Sequence, residues 1–362
     1  MLKQQKIFFD FLRFCIGSAK EIPGSLKEVD WKELYAIAKK QCLVGVLFDG
    51  IKKLLAEHVG MKKELLLQWM AESQMLEKAN VRLNDAAIQV SEWFRKKGFR
   101  TCILKGQGNA LMYPNPYSRT PGDIDIWVEG GDKRVISFVR SISPHEKACY
   151  HHIEFPSYKG VEVEVHYRPS FLLCSWHNRK LQKYYERVKE KQFSHRVMLG
   201  EQGEVAIPTA EFNVIFQLTH IFTHLMNEGI GLRQLLDYYY VISMLSVNCE
   251  MLTSLQKELK QLGLWKFAGA IMYIMQDVFG MPASRLIAPP NKKYGRFVLN
   301  EVLEAGNFGR HDERNHFGKT KLGHNLQRVY RDMRLVMYFP AEALSEPIFR
   351  VWHFFWRMKN KT

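Results

Sequence analysis

Two aspartates separated by one apolar residue, Asp123 and Asp125, have the type and spacing that most directly indicate chemistry in this sequence. They lie in the stretch from Gly122 to Val128, where acidic and apolar residues alternate with the period of a β-strand. The alternation places both carboxylates on one face, about 7 Å apart at the backbone. Two like charges on one strand face repel, and a bound divalent cation would remove that repulsion. The alternative is an edge strand with a solvated acidic face, which is the usual environment of aspartate.

A third carboxylate is available on a second alternating stretch, at positions 161–166. Glu162, Glu164 and His166 share one face there, and three valines share the other. If this strand lies beside the aspartate strand, one glutamate completes a site of three carboxylates. Side-chain parity leaves both glutamates open, because only distance along the strand separates them. Hard oxygen ligands of this kind suit Mg²⁺, which combines one or two carboxylates with substrate phosphates.

An apolar run that ends in Lys105 and Gly106 precedes the aspartates. It predicts a short buried strand, followed by a helix over positions 106–112. The free backbone amides at the start of such a helix, together with the positive end of its dipole, favour a phosphate group. Lys105 could add a point charge. The alternatives are a plain strand-to-helix turn at Gly106 and a solvated lysine.

These features together resemble the signature of the DNA polymerase beta type nucleotidyltransferase superfamily. Within it, the fuller pattern resembles an uncharacterised bacterial nucleotidyltransferase family often found in polysaccharide gene clusters. The resemblance covers positions 99–208 strongly and the flanking helical regions more loosely. The residues that carry it are Leu104-Lys105-Gly106, Tyr113-Pro114, Arg119, Asp123-Ile124-Asp125 and Glu164-Val165-His166-Tyr167-Arg168. One departure is Gln107, which follows Gly106 where the superfamily usually has serine or glycine.

The resemblance implies metal-dependent transfer of a nucleoside monophosphate from a nucleoside triphosphate such as ATP to an acceptor hydroxyl. It implies that Asp123, Asp125 and Glu164 are catalytic and hold two Mg²⁺ ions, with Mn²⁺ as a substitute. Glu164 is preferred to Glu162 because it matches the family's Glu-x-His arrangement. The residues expected to contact the nucleotide are Lys105, Gly106, Gln107, Arg119, His166 and Arg168. The acceptor stays open between a sugar phosphate or other small metabolite and a protein or RNA.

Two of the expected nucleotide contacts have structural alternatives. Arg119 either contacts the nucleotide or holds the loop that leads into Asp123. Arg168 either pairs with a phosphate in bidentate fashion or fixes the acidic strand. A second hypothesis for the whole chain is a catalytically inactive nucleotide-binding or scaffold protein that retains the fold. The Gln107 departure favours it, whereas the presence of all three carboxylates opposes it.

Three histidines and one pair of oppositely charged residues are further candidates for a functional role. His152 is as compatible with a strand histidine bonded to the backbone as with a functional one. His220 and His224 stand one helical turn apart, a spacing that can bind zinc, but packing or substrate contact is favoured because no third ligand is evident. Arg233 and Asp237 are spaced to form an ion pair at i, i+4, which is favoured over the alternative that this segment closes over the nucleotide base.

Composition limits the class of protein. The chain has 362 residues, 46% hydrophobic and 13% aromatic, which suffices for a substantial core. Its net charge of +15 predicts an anionic partner, with solubility alone as the alternative. Six dispersed cysteines without a Cys-x-x-Cys pair indicate free thiols in a reducing cytoplasm. No apolar run reaches the length of a membrane span. The sequence does not indicate the oligomeric state.

Hydrophobic periodicity divides the chain into three regions. Helical spacing dominates positions 1–98 and 209–362, and strand-like alternation enters over 99–208. The predicted fold is therefore α+β, a nucleotidyltransferase core with a small mixed sheet between an N-terminal and a C-terminal helical region. A hairpin over 193–207 is expected to end the sheet. The basic, aromatic C-terminal segment is expected to dock on the core, with an anionic membrane surface or nucleic-acid bases as alternatives.

Overall fold

The structure, a computed structural model, describes residues 3–54, 60–201, 203–246, 248–312, 314 and 320–360. Within these ranges, the chain begins with α1 Lys3–Ile16, α2 Trp31–Lys40, α3 Val44–Leu54 and α4 Lys63–Lys96. The mixed part follows, with β1 Thr101–Ile103, α5 Gln107–Ala110, β2 Ile124–Val128, α6 Gly131–Ile142, β3 His152–Tyr158, β4 Val161–His166, α7 Ser175–Ser194, β5 Arg196–Leu199 and β6 Gly203–Ala206. The last helices are α8 Ala210–Asn227, α9 Leu232–Ser243, α10 Cys249–Gln261, α11 Trp265–Asp277, α12 Lys292–Ala305, α13 Lys321–Leu335 and α14 Pro340–Lys359.

A four-stranded sheet in the order β1-β2-β4-β3 confirms the predicted α+β class with a small mixed sheet. Strand β2 runs antiparallel to β1 and parallel to β4, while β3 and β4 form the predicted antiparallel pair. The parallel pair requires a crossover connection, which α6 and β3 provide. The two acidic strands are therefore neighbours, and Asp125 lies directly opposite Glu164 in the register.

The two faces of this sheet have different environments. Ile124, Ile126, Val163 and Val165 point to one face and are buried in a cluster with side chains of α4 and α6. The opposite face carries the acidic residues and turns toward α8, where the Trp127 ring stacks on Phe212 with centroids 5.9 Å apart. The alternation seen in the sequence thus separates a packing face from a chemical face.

Two sequence expectations about this region are wrong. The hairpin β5–β6 forms, but it makes a sheet of its own and does not end the main one. The hairpin instead packs tightly against α4. At Gly203 a Cβ would lie only 2.8 Å from Ile88 Cγ2, so the close contact requires a residue without a side chain. The helix expected over 106–112 is the four-residue α5, which follows Gly106 at φ 52°, a left-handed backbone that favours glycine.

The helical regions share a core. The larger hydrophobic cluster contains buried residues of α1, α2 and α3 together with residues of α8, α9, α11 and α12. Helix α1 buries Phe8, Phe11, Leu12 and Cys15, the positions whose spacing predicts it. Helix α8 begins at the predicted N-cap Thr209, whose hydroxyl accepts a hydrogen bond from the Phe212 amide. The division of the chain at 98 and 208 stays a prediction.

The last helix is docked along one side only. Its Phe349 ring stacks on Phe171 with centroids 5.1 Å apart, in line with the predicted docking. Its other side leaves large apolar groups in solvent, with Ile348 73% exposed and Phe355 62% exposed. Among the described residues, none of the helices combines the length and the apolar character needed to cross a membrane.

Candidate active site

The parallel pairing of β2 and β4 brings three carboxylates together. Asp125 lies within β2, Asp123 directly precedes that strand, and Glu164 lies within β4. One oxygen from each of these three side chains lies within 4.8 Å of the others. Glu162 shares the parity of Glu164 but is exposed and outside this group. The register of the strands therefore selects Glu164 from the two glutamates that the sequence leaves open.

The electrostatics of the aspartates reflect this crowding. The negative charge of Asp125, together with burial, raises the pKa of Asp123 to about 6. Burial also opposes ionisation of Asp125, yet the neighbouring Lys105 and His166 outweigh it and hold the pKa of that carboxyl below its usual range. A group of this kind accumulates negative charge that a cation can neutralise.

Lys105 is one source of positive charge in the site. Its Nζ lies 2.8 Å from Asp125 Oδ1 and 3.3 Å from His220 Nε2. Because an ammonium group can only donate, His220 Nε2 accepts the second hydrogen bond. Burial and the adjacent Lys105 charge lower the pKa of His220 well below its usual value, which keeps the ring neutral and suited to that contact. His220 thereby positions Lys105.

His166 is held between two of the carboxylates. Its Nε2 lies 2.9 Å from Asp125 Oδ1 and 3.4 Å from Glu164 Oε2, and its Nδ1 faces the Arg168 carbonyl oxygen at 3.4 Å. Burial disfavours the charged ring, but the hydrogen bonds to the two carboxylates outweigh it and raise the pKa of His166 to about 9. The two carboxylates therefore favour the charged form of this buried ring.

Two more histidines adjoin His166. His152 pairs directly with it across the β3–β4 ladder, and its Nδ1 lies 3.4 Å from Glu164 Oε2. His151 Nε2 lies 3.1 Å from the same Nδ1. Burial lowers the pKa of His152 to about 4 and that of His151 well below its usual range. His151 carried no signal in the sequence, because its neighbours are fixed only by the pairing of the strands.

Arg119 is committed to an ion pair. Its Nε and Nη2 donate to the two carboxylate oxygens of Asp237, each over 2.8 Å, and both side chains are buried. Tyr113 donates a further hydrogen bond of 2.7 Å to Asp237. The sequence expectation that Asp237 pairs with Arg233 is therefore corrected. Helix α9 turns Asp237 toward Arg119, while Arg233 Nη1 donates to the carbonyl oxygens of residues 120 and 121.

Arg168 and Gln107 contact protein groups outside the carboxylate cluster. Arg168 donates 2.8 Å to Asp132 and 2.7 Å to the carbonyl oxygen of Tyr150, which ties the end of β4 to the start of α6. Gln107 is buried and donates 2.7 Å to Asn84 on α4. Their expected contacts with a nucleotide stay predictions, as does that of Arg119.

A cleft of about 50 Å³ opens beside Asp123 and Asp125, between the sheet and helices α8 and α9. It is lined by Asp123, Asp125, Lys105, Gly106, Asn109, Arg119, Gly122, Gln217, His220, Ile221, Arg233, Gln234, Asp237 and Phe308. Phe308 and Gln217 escaped the sequence analysis, because helical and loop positions carry no local mark of the cavity they face. The Arg233 guanidinium lies over the Phe308 ring at 5.8 Å, which closes the far wall.

Comparison with known proteins places these residues in a family. A family model described as "uncharacterised nucleotidyltransferase" matches residues 27–280, more than two thirds of the chain. The chain belongs to this family. The matched range contains the three clustered carboxylates, Lys105 and His220, whereas Phe308 lies beyond it.

Other comparisons add little to this assignment. No curated protein matches the chain. The crystal structure of an antigenic nucleotidyltransferase-like protein from Paracoccidioides brasiliensis matches with 14% sequence identity and a TM-score of 0.33. That match covers 62% of this chain and 98% of the other. The assignment of this chain to the nucleotidyltransferase family therefore rests on the family model alone.

Proposed function

We propose that this protein is a metal-dependent nucleotidyltransferase of the polymerase beta type, which moves a nucleoside monophosphate from a nucleoside triphosphate to an acceptor hydroxyl. The observation that carries the proposal is the convergence of Asp123, Asp125 and Glu164, each with one oxygen within 4.8 Å of the others, beside a cleft that the two aspartates line, in a member of a nucleotidyltransferase family. Lys105 and His166 offset the charge of Asp125, yet the pKa of Asp123 stays raised to about 6, so a further cation explains this group better than a purely structural origin.

The donor set fits magnesium. Each of the three side chains offers a hard oxygen, and these oxygens lie close enough to share one or two ions. Asp123, Asp125 and Glu164 would hold Mg²⁺, and its binding would relieve the repulsion that raises the pKa of Asp123. Bound there, Mg²⁺ would supply charge neutralisation and a template for phosphate oxygens.

The chain's own groups define where a triphosphate would lie. Lys105 and Arg233 carry positive charge on two walls of the cleft and face its interior. Lys105, positioned by His220 and adjacent to Asp125, is suited to pair with phosphate oxygens beside the carboxylates. The left-handed turn at Gly106 lets the backbone approach a ligand without a side chain in the way. Glu164 would orient an acceptor hydroxyl and accept its proton, the role that the family resemblance implies.

The first experiment measures thermal stability with each of the four nucleoside triphosphates, with and without magnesium. We expect a magnesium-dependent rise in Tm for the wild type that is lost in Asp125→Asn and Glu164→Gln, because binding to the folded state raises stability. Glu162→Gln is the matched control, since it removes an exposed carboxylate from the same strand face. A labelled form of the nucleotide that binds then serves to search for the acceptor.

The outcomes separate the hypotheses. An equal rise in Asp125→Asn and the wild type would contradict the metal–nucleotide site. A magnesium-dependent rise in the wild type without transfer to any acceptor would favour the inactive nucleotide-binding alternative. The variants must first show wild-type circular dichroism, so that loss of binding is not loss of fold.

A further inference from the structure

A second cluster of potential metal ligands adjoins the three carboxylates. His152, Glu164 and His166 each present one ligand atom, and these atoms lie within 4.8 Å of one another. Glu164 belongs to both groups. We propose that His152, Glu164 and His166 bind a divalent transition-metal ion, with Zn²⁺ as the preferred species. The inference extends the proposed function and rests on it in part, because the two sites share Glu164.

The distances in this cluster fit direct coordination. Glu164 Oε2 lies 3.4 Å from His152 Nδ1 and 3.4 Å from His166 Nε2. Two ligands bound at about 2.1 Å to a tetrahedral ion stand about 3.4 Å apart. Coordination would replace the proton that His166 Nε2 directs at Asp125 over 2.9 Å and would otherwise need only small side-chain adjustments.

The chemistry of the donors distinguishes this cluster from the carboxylate group. Two imidazole nitrogens with one carboxylate are a ligand set that zinc enzymes use, with a fourth position left open for water or substrate. Imidazole suits Zn²⁺ and related ions, whereas Mg²⁺ prefers oxygen ligands. The protein would thus have an oxygen-only group for magnesium beside a mixed nitrogen and oxygen group.

The supporting structure is suited to hold these ligands in place. His152 and His166 are direct partners in the antiparallel ladder of β3 and β4, so the sheet fixes their relative positions. His166 Nδ1 faces the carbonyl oxygen of Arg168 at 3.4 Å, which orients the ring and leaves Nε2 toward the cluster. Glu164, two residues before His166 in β4, lies on the same face, and its Oε2 is 3.4 Å from a ring nitrogen of each histidine.

A neighbouring group provides the main competing location. Cys149, His151 and His152 also offer ligand atoms within 4.8 Å of one another. The two groups share His152, but Cys149 belongs to one and His166 to the other. Variants of these two residues therefore distinguish the two locations.

The test titrates Co²⁺ into full-length protein that has been treated with a chelator, and follows the visible absorption of the bound ion. We expect one equivalent of Co²⁺ with the intense bands of tetrahedral coordination, displaced by Zn²⁺. The affinity for Co²⁺ should fall more than about tenfold in His152→Ala and His166→Ala. Losing a residue that only hydrogen-bonds to a ligand already costs about 10–100-fold, and these variants lose a ligand itself. His195→Ala, which removes an exposed imidazole from another part of the chain, should leave it unchanged.

Asp123→Asn separates this inference from the proposed function. It should retain Co²⁺ binding and lose magnesium-dependent stabilisation by nucleotide, because Asp123 lies outside the histidine group. The absence of tetrahedral Co²⁺ binding in the wild type would overturn the inference and leave the magnesium site intact. Binding that survives His166→Ala and fails in Cys149→Ser would place the ion in the neighbouring group and also overturn it.

Discussion

Arg119, which the sequence analysis expects to contact the nucleotide, is held by a buried ion pair with Asp237. Both of its donating nitrogens that face Asp237 are satisfied in a buried, two-point ion pair. The pair joins the loop before β2 to helix α9, so it holds the chain that leads into Asp123. The structure therefore supports the loop-holding alternative for Arg119, and its nucleotide contact stays a prediction.

We expect Asp237→Asn to lower the free energy of unfolding by about 3–5 kcal/mol, because it leaves the buried Arg119 charge without its partner. Urea denaturation of the wild type and the variant measures this difference. Glu129→Gln provides the comparison, since its pair with Arg100 is more exposed and should contribute at most about 1 kcal/mol. Equal losses in the two variants would contradict the structural role assigned to Arg119.

The contact between α13 and α14 contains a carboxyl pair that titrates near neutral pH. Burial raises the pKa of Asp332 to about 7, with the negative charge of Glu346 and a hydrogen bond to it as further causes. The protonated form of Asp332 is therefore favoured in the folded protein. The stability that this pair contributes is fully present below the unfolded pKa near 4 and is lost as the pH rises through about 7.

We expect the two helices to separate more easily at pH 8 than at pH 5, by about 1–3 kcal/mol. Hydrogen exchange of α14 amides across this range measures the effect. Asp332→Asn keeps a hydrogen-bond donor and removes the charge, so it should remove most of the pH dependence. Unchanged pH dependence in that variant would assign the effect to another group.

The whole molecule is stabilised by contacts between its two ends. Arg13 Nε on α1 donates 3.1 Å to the Val278 carbonyl oxygen, and Gln41 Nε2 donates 3.2 Å to the Val302 carbonyl oxygen. Gln41 also accepts a 2.8 Å hydrogen bond from the amide of Leu232, at the start of α9. These contacts accompany a hydrophobic core that contains helices from both ends of the chain.

We therefore expect the N-terminal and C-terminal helices to unfold in one cooperative transition. Burial of a shared apolar core means that loss of either set exposes the surface of the other. Urea unfolding followed by near-ultraviolet and far-ultraviolet circular dichroism should give coincident curves. Two separated transitions would show that the helical regions fold as independent units.

The sequence by itself determined the features that depend on local periodicity. Strand alternation placed Asp123 and Asp125 on one face, helical spacing identified α1, and the run of glutamates and valines identified β4. These patterns are local because a side chain's face follows from the position of its own residue in the strand or helix. The α+β class was accordingly predictable, whereas the sequence left the adjacency of the two acidic strands as a condition.

Only the tertiary structure decided the features that depend on register and long-range packing. The pairing of Asp125 with Glu164 excluded Glu162 from the carboxylate cluster, although both glutamates have the same parity. The partner of Asp237 and the convergence of the strand histidines were settled in the same way. Residues far apart in the chain meet only when buried faces fix how strands and helices align, and no local pattern encodes that alignment.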